Sequence, residues 1–528
     1  MTLILLTSIV KIDAQTDTAR IWKKYKQQID DESIPLLPDY SYAGYKLGEE
    51  SIPDRKDLKV FDVTKFGAIA DDTLSDQESI QKAIAAAESN GGGIVYFPKG
   101  EFYIVTDSNQ TNQITITQSN IILRGSGSAK GGTVLNWRNH MLLPEGKQKW
   151  HTPSLFHFSG KNTSGVSKLT KSSKRGSLSI YVEDISVFEG QKFIELKLPP
   201  NREIVSEYLD AKKPRETWLS IAEQGLDLIE YHEISSLDSE NQIIFIKDPI
   251  VDDINHQHGW EVSPVNMIEQ VGLEDLHIMG NFLSEFKHHL NYIHDYAWHA
   301  IDMSRVAHSW VRRSRFSNVS QAAKMSDSYA SSIISIVVDG NRGHALSAAH
   351  RSSRILQGLI YDITNQGQWH GADMSSRTSG SVVWRVTQVN GRGFDLHASG
   401  SRTNLVDRYQ SDGFAGQGGF YGNLPHHLTG LTLWNNKRTG KSTKHNFWFD
   451  CGANYCGLTV ANPIVVGYHG SETTFDPENI LHEESNGSPI YPMSLYEAQL
   501  ENRLGYLPSW VKAEVKWSKK LHKSLSLD

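Results

Sequence analysis

Cysteine is nearly absent from this sequence: 528 residues carry two, Cys451 and Cys456. That excludes a disulfide-stapled scaffold and a thiolate zinc site, and leaves the pair as either one small bridged loop or two thiols. No apolar run approaches the 18 residues of a spanning helix, so no membrane span is expected. A net charge of −7 is mild for this length and speaks against a general nucleic-acid binder. With 38% hydrophobic and 21% charged residues the composition is globular, which excludes a disordered chain. Glutamate is missing altogether between Trp298 and Arg408, where 13 Lys or Arg (12 of them Arg) face 7 Asp. The same stretch lacks any ten-residue helical pattern, which excludes alternating βαβ units.

What stands there instead is a repeat. "WHAIDMSRV" (298–306) and "WHGADMSSR" (369–377) are near copies, and "AAKMSDS" (322–328) is a fainter one. Met303, Met325 and Met374 are separated by about one and two steps of 22 to 25 residues, and the missing copy falls at "HALSAAHRS" near 346–350. Between the copies lie short Val-, Ile-, Leu- and Thr-rich runs that end in Asn, Asp or Gly, as strands ending in turns do. A period in the low twenties without heptads is the mark of a solenoid, one coil per repeat, whose core grows along an axis. Met and Ala are then expected on the inner side of one strand. Asp302, Lys324, His350, Asp373 and His397 should project outward from successive coils.

The stretch "FDVTKFGAIADDTLSDQESIQKAIAAAESNGGGIVYFPKGEFYI" (61–104) reads as strand, turn, helix, strand and turn. Ser75 and Glu78 are placed as a capping box for a helix over 76–87, and Ile80, Ala83, Ile84 and Ala87 as its apolar stripe. Asp71 and Asp72 are assigned to turn chemistry. This segment resembles the first coil of the pectate-lyase-like superfamily of secreted right-handed parallel β-helix proteins, departing from it where "GAIADD" replaces the usual Gly-Asp-Gly. The resemblance implies an all-β right-handed parallel β-helix with short capping helices.

Boundaries follow from composition. Residues 1–15 resemble an export signal, with Ala14 before the cleavage point but no basic residue ahead of the apolar run, so a secreted or periplasmic protein is expected. An N-terminal arm spans 16–59 and the first coils 60–139. A β-rich insertion is expected over 140–262 and the remaining coils over 263–470. The tail, 471–528, holds a helix opened by Ser494 and Glu497 that should cover the far end of the solenoid.

The +6 stretch also holds His299, His308, His344, His350, His370 and His397. Stacked on coils, such residues would make a basic groove for an extended polyanion. The likeness to β-helical polysaccharide lyases then implies β-elimination of an acidic, uronate-containing polysaccharide, with ulvan as the first candidate and alginate and pectins behind it. That chemistry needs the uronate carboxylate neutralised, a base for the C5 proton and an acid for O4. Arg377 or Arg402 is assigned as neutraliser, His350 or His397 as base and Tyr421 as acid, with Lys324 in reserve. His370, Arg351, Arg402 and Asp373 are assigned to substrate binding. No catalytic metal or cofactor is expected, though a structural calcium stays open, and the chain is expected to be a monomer. A rival reading is an inverting hydrolase using Asp302, Asp373 or Asp395. Against it, the Asn-Thr-Asp and Arg-Ile-Lys triplets of β-helical polygalacturonases do not stand in the coils. A non-catalytic carbohydrate-binding solenoid is the third.

Overall fold

The short apolar runs hydrogen-bond in parallel from coil to coil, in a computed structural model that describes residues 17–109, 112–161, 163–414, 418–448 and 457–525. The result is an all-β parallel β-helix. One ladder contains, in order, Ile114–Ile116, Phe156–Ser159, His299–Ser304, Gln321–Ser326, Ala345–His350 and His370–Ser375. Its register pairs Met303 with Met325, Met325 with Ala349 and Ala349 with Met374. The methionines are stacked and fully buried, with Ala349 in place of methionine at the missing copy. Alternation along the strand then sends every second residue outward. Asp302, Lys324, Ala348, Asp373 and Asp395 stand at one height.

A second ladder includes Trp310–Arg312, Leu356–Asp362, Val382–Trp384, Leu405–Asp407, Thr432–Trp434 and Ile464–Val466. Its strands are apolar on both sides because their outer face is covered too. Helices Arg20–Asp30, Leu495–Leu504 and Ser509–Ser524 lie on that flank. Ile21, Trp22, Leu495, Leu500 and Val511 pack there against Ile334, Leu356, Trp384, Trp434 and Ile464. The C-terminal helix therefore covers a side of the solenoid and not its end. Ser494 does cap it, accepting from the Glu497 N–H at 3.3 Å. The Glu497 carboxylate, however, receives Trp384 Nε1 at 3.0 Å and Arg385 Nε at 2.6 Å, so the cap also binds the helix to the coils.

Three further expectations are corrected. The helix Gln77–Ser89 starts after Asp76, not Ser75, and the Asp76 carboxylate ties the neighbouring strand and turn by accepting from Ile69 and Tyr103 N–H. The insertion begins near Lys161, not 140, since Phe156–Ser159 buries two Phe in the core between Ile114 and Ile301. Strands continue past 470 as well, with His482–Glu484 pairing onto Ile464–Val466. Asp71 and Asp72 are turn residues, accepting from Glu101 and Leu74 N–H. The expected export signal, Cys451 and Cys456 lie outside the described residues.

The insertion is a six-stranded antiparallel sheet between Ser167–Lys168 and Glu261–Val265. It docks on the coils through a buried ionic network. Asp248, fully buried, accepts from Tyr329 Oη (2.6 Å) and Arg354 Nε (2.8 Å) and pairs with His232 Nδ1 (3.1 Å). Arg402, also fully buried, reaches Glu230 at 2.8 Å and Asp252 at 2.5 Å. Arg377 pairs with Asp227 at 2.6 Å and His308 with Glu233 at 2.9 Å. Three of the arginines in the coils, Arg354, Arg377 and Arg402, are thus answered by carboxylates of the insertion, while Arg313 and Arg385 meet Glu514 and Glu497 of the flank helices.

Arg402→Ala would strand the buried Glu230 and the half-buried Asp252, and removing one partner of a buried pair costs about 3–5 kcal/mol. Chemical denaturation should show that loss. A second expectation concerns pH. Burial alone would depress His232, but Asp248 and Glu230 raise it to about 9. A folded value above the unfolded one, about 6.5, means this stabilisation is complete below the unfolded value and is lost as pH rises through about 9. The melting temperature should fall across that interval, and His232→Asn should remove that part of the slope.

Candidate active site

Successive coils of the methionine ladder present polar side chains to one groove, and there a cavity of about 290 Å³ opens. Its lining includes Lys324, His350, His370, Asp373 and His397, five of the residues singled out from sequence, together with His344. A neighbouring cavity of about 420 Å³ shares His370 and His397 and adds His288, His289, Trp369 and Arg392.

Two buried carboxylates organise the imidazoles. Asp373 meets His350 Nε2 at 2.8 Å, accepts from Ser375 Oγ, and lies 3.7 Å from His397 Nδ1. Asp395 contacts His370 Nδ1 directly and stands 3.2 Å from His397 Nδ1. Burial opposes charge on all of these groups. Even so, Asp395 and Asp373 raise His397 well above the usual imidazole range. His370 and His397 in turn hold Asp395 well below the carboxylate range, and His350 and His397 lower Asp373. Burial lowers His370 and His344, and brings His288 to about 3 with help from His289 and His370. One charged imidazole, His397, therefore sits among three neutral ones. Lys324 pairs with Asp302 at 3.3 Å on the adjacent coil, and Asp302 is lowered against its burial chiefly by that ammonium.

The rim comes from outside the ladder. Lys149 donates to Asp295 at 2.7 Å, which fixes the turn carrying Trp150. Trp150 lines the first cavity and is 54% exposed, a flat apolar face free to stack on a sugar ring. Asp295 also accepts from the N–H and Nδ1 of His289, which pins the loop bearing His288. Arg392 lies over Trp369 at 4.3 Å and has no carboxylate partner among the described residues.

Other sequence-based assignments are placed elsewhere. Arg377 and Arg402 serve the insertion, Arg351 pairs with Asp327 at 2.7 Å beside Tyr231 of the insertion, and Tyr421 packs on the insertion core. The reason is shared: these arginines follow the outward strand and sit at the corner where the coil turns toward the inserted sheet. Sequence reasoning missed His288, His289, Trp150 and Arg392 as site residues. The signal for the first two was "HHLNYIH" (288–294), three histidines in seven residues just ahead of the repeats.

Comparison with known proteins adds the following. Residues 60–175 match the family model "Rhamnogalacturonase A/epimerase, pectate lyase-like", and residues 367–514 match a "Domain of unknown function (DUF4955)". Mannuronan C5-epimerase AlgE3 of Azotobacter vinelandii is 33% identical over 125 residues, 23% of this chain and 6% of the relative. Alginate lyase 7 of the same organism is 37% identical over 75 residues, 14% of this chain and 8% of the relative. The chain thus spans less than a tenth of these relatives' length. Among solved structures, the tailspike gp49 of Pseudomonas phage LKA1 aligns with 81% of this chain and 79% of its own at 11% identity and a TM-score of 0.40.

Gly418 lies against the His397 ring so closely that a Cβ there would stand 2.1 Å from Nε2. Gly418→Ala should therefore shift the ring resonances of His397 in NMR spectra and leave those of His350 in place. Unmoved His397 signals would mean that the loop yields instead.

Proposed function

We propose that this pectate-lyase-like β-helix acts on an acidic polysaccharide, removing the C5 proton of a uronate unit and completing a β-elimination. The observation that carries the reading is the His350–Asp373 pair. A fully anchored carboxylate orients an imidazole at the mouth of a cavity that also holds an ammonium, Lys324, and a charged imidazole, His397. His350 takes the C5 proton, the electron pair forms the C4–C5 double bond, and O4 departs with a proton from Lys324. His397 and Arg392 meet the uronate carboxylate, so that charge developing next to C5 is stabilised. Arg392 supplies the forked recognition first sought at Arg377 and Arg402, and Trp150 offers a stacking face for a neighbouring sugar.

The names of the matched relatives favour the same first step. Epimerisation and elimination at a uronate both begin with loss of the C5 proton and differ in whether that proton is replaced or O4 leaves. They also bring alginate to the head of the substrate candidates, with ulvan and pectins next. Hydrolysis through Asp302, Asp373 or Asp395 finds little support. All three carboxyls are held below their usual range, and an inverting enzyme needs one protonated to donate. We place the protein's work outside the cytoplasm, as a monomer. Among the described residues no helix is long and apolar enough to cross a membrane.

Incubation with alginate, ulvan and pectin should give products whose ultraviolet absorbance reports a 4,5-unsaturated uronate. Saturated ends would overturn the reading in favour of hydrolysis. Intact chains that gain solvent deuterium at C5 would make the protein an epimerase. His350→Ala should lower turnover by about 10²–10⁴-fold, whereas Arg377→Lys should leave it unchanged.

A further inference from the structure

His344 is 4% exposed, yet neither ring nitrogen has a hydrogen-bond partner among the described residues. An imidazole with both polar atoms buried and unanswered is costly, since each lost partner carries its full desolvation penalty. Its surroundings offer a resolution. Donor nitrogens of His288, His344 and His370 lie within 4.8 Å of one another. His288 Nε2 and His370 Nε2 are 3.3 Å apart. Two imidazole nitrogens bound to one tetrahedral zinc at about 2.0–2.1 Å stand about 3.3–3.4 Å from each other.

The support behind these rings is of the kind metal ligands need. His370 turns Nδ1 to the buried Asp395, which leaves Nε2 pointing toward His288. A carboxylate behind a ligating histidine fixes its tautomer and orientation and strengthens it as a donor. The loop carrying His288 is anchored by Asp295 through the N–H and Nδ1 of His289. Trp369 stacks on His288 at 4.8 Å. His370 and His288 are thus held before any ion arrives, and His344 is fixed by burial alone.

We propose that His288, His344 and His370 bind a divalent first-row transition ion, zinc above all, through three imidazole nitrogens. Imidazole donors suit zinc and its neighbours and not calcium, which takes oxygen ligands. Three protein ligands leave a fourth position for a water or a substrate oxygen, the pattern of reactive and not of structural zinc sites. His344 lines the first cavity, His288 the second and His370 both, so the ion lies where the two meet. The inference does not depend on which reaction the groove performs.

The test uses the full chain, stripped of metal with a chelator and titrated with zinc by calorimetry and with cobalt by visible absorption. One equivalent should bind, and cobalt should show the intense bands of tetrahedral coordination. His344→Ala and His288→Ala should each abolish stoichiometric binding. The second is the safer variant for folding, because His288 is only half-buried and on a loop. Asp395→Asn should weaken binding by about 10–100-fold, and His350→Ala should leave it intact. No stoichiometric zinc binding by the wild type, or full binding by a folded His288→Ala variant, would overturn the proposal and leave a hydrogen-bonded imidazole cluster.

Discussion

In-register parallel pairing of one coil with the next is the constraint on which the rest depends. The hydrogen-bond ladder fixes each residue's height, and the alternation of the strand fixes its side. With Met303, Met325, Ala349 and Met374 held inside, outward positions on neighbouring coils fall one strand spacing apart. Side chains about 25 residues apart in sequence thereby become neighbours. Asp373 can hold His350 from the coil below while facing His397 from the coil above. The groove is a vertical reading of a sequence written horizontally.

The same geometry divides the labour of the polar residues. Those within the outward strand face the groove, and those just past its end face the inserted sheet. The insertion meets the latter with Asp227, Glu230, Asp248 and Asp252. Taking those charges out of water is expensive, and mutual pairing with good hydrogen-bond geometry is what makes it tolerable. Part of the local excess of arginine, Arg354, Arg377 and Arg402, consequently serves to dock another part of the chain. The cationic groups that remain at the groove are few, chiefly His397, Lys324 and Arg392.

Much of the fold was legible because it depends on local pattern. The repeated phrase, the apolar runs and the helix stripe of Ile80, Ala83, Ile84 and Ala87 all took their expected places. Half of the lining of the candidate site was legible for the same reason, since Lys324, His350, His370, Asp373 and His397 belong to the repeat itself. The rest was not. Residue type alone cannot say whether an arginine at a coil corner meets a ligand or an acid 150 residues away, as Arg402 meets Asp252. Nor can it bring Trp150 and His288 to the rim, because loops outside the repeat place them and Asp295 fixes them there.

The flank helices alter how such a stack comes apart. A bare solenoid contacts only its neighbours, coil by coil, so its terminal coils can fray one at a time. Here helices from both ends of the described chain share one apolar seam that runs from Ile334 to Ile464. Glu484, in the last strand of the stack, accepts the backbone N–H groups of Arg20 and Ile21. Losing a late coil would therefore uncover the first helix, and losing that helix would uncover coils along much of the seam. A nominally one-dimensional array is made to melt as one body, and the groove on the far side keeps its spacing until the whole gives way.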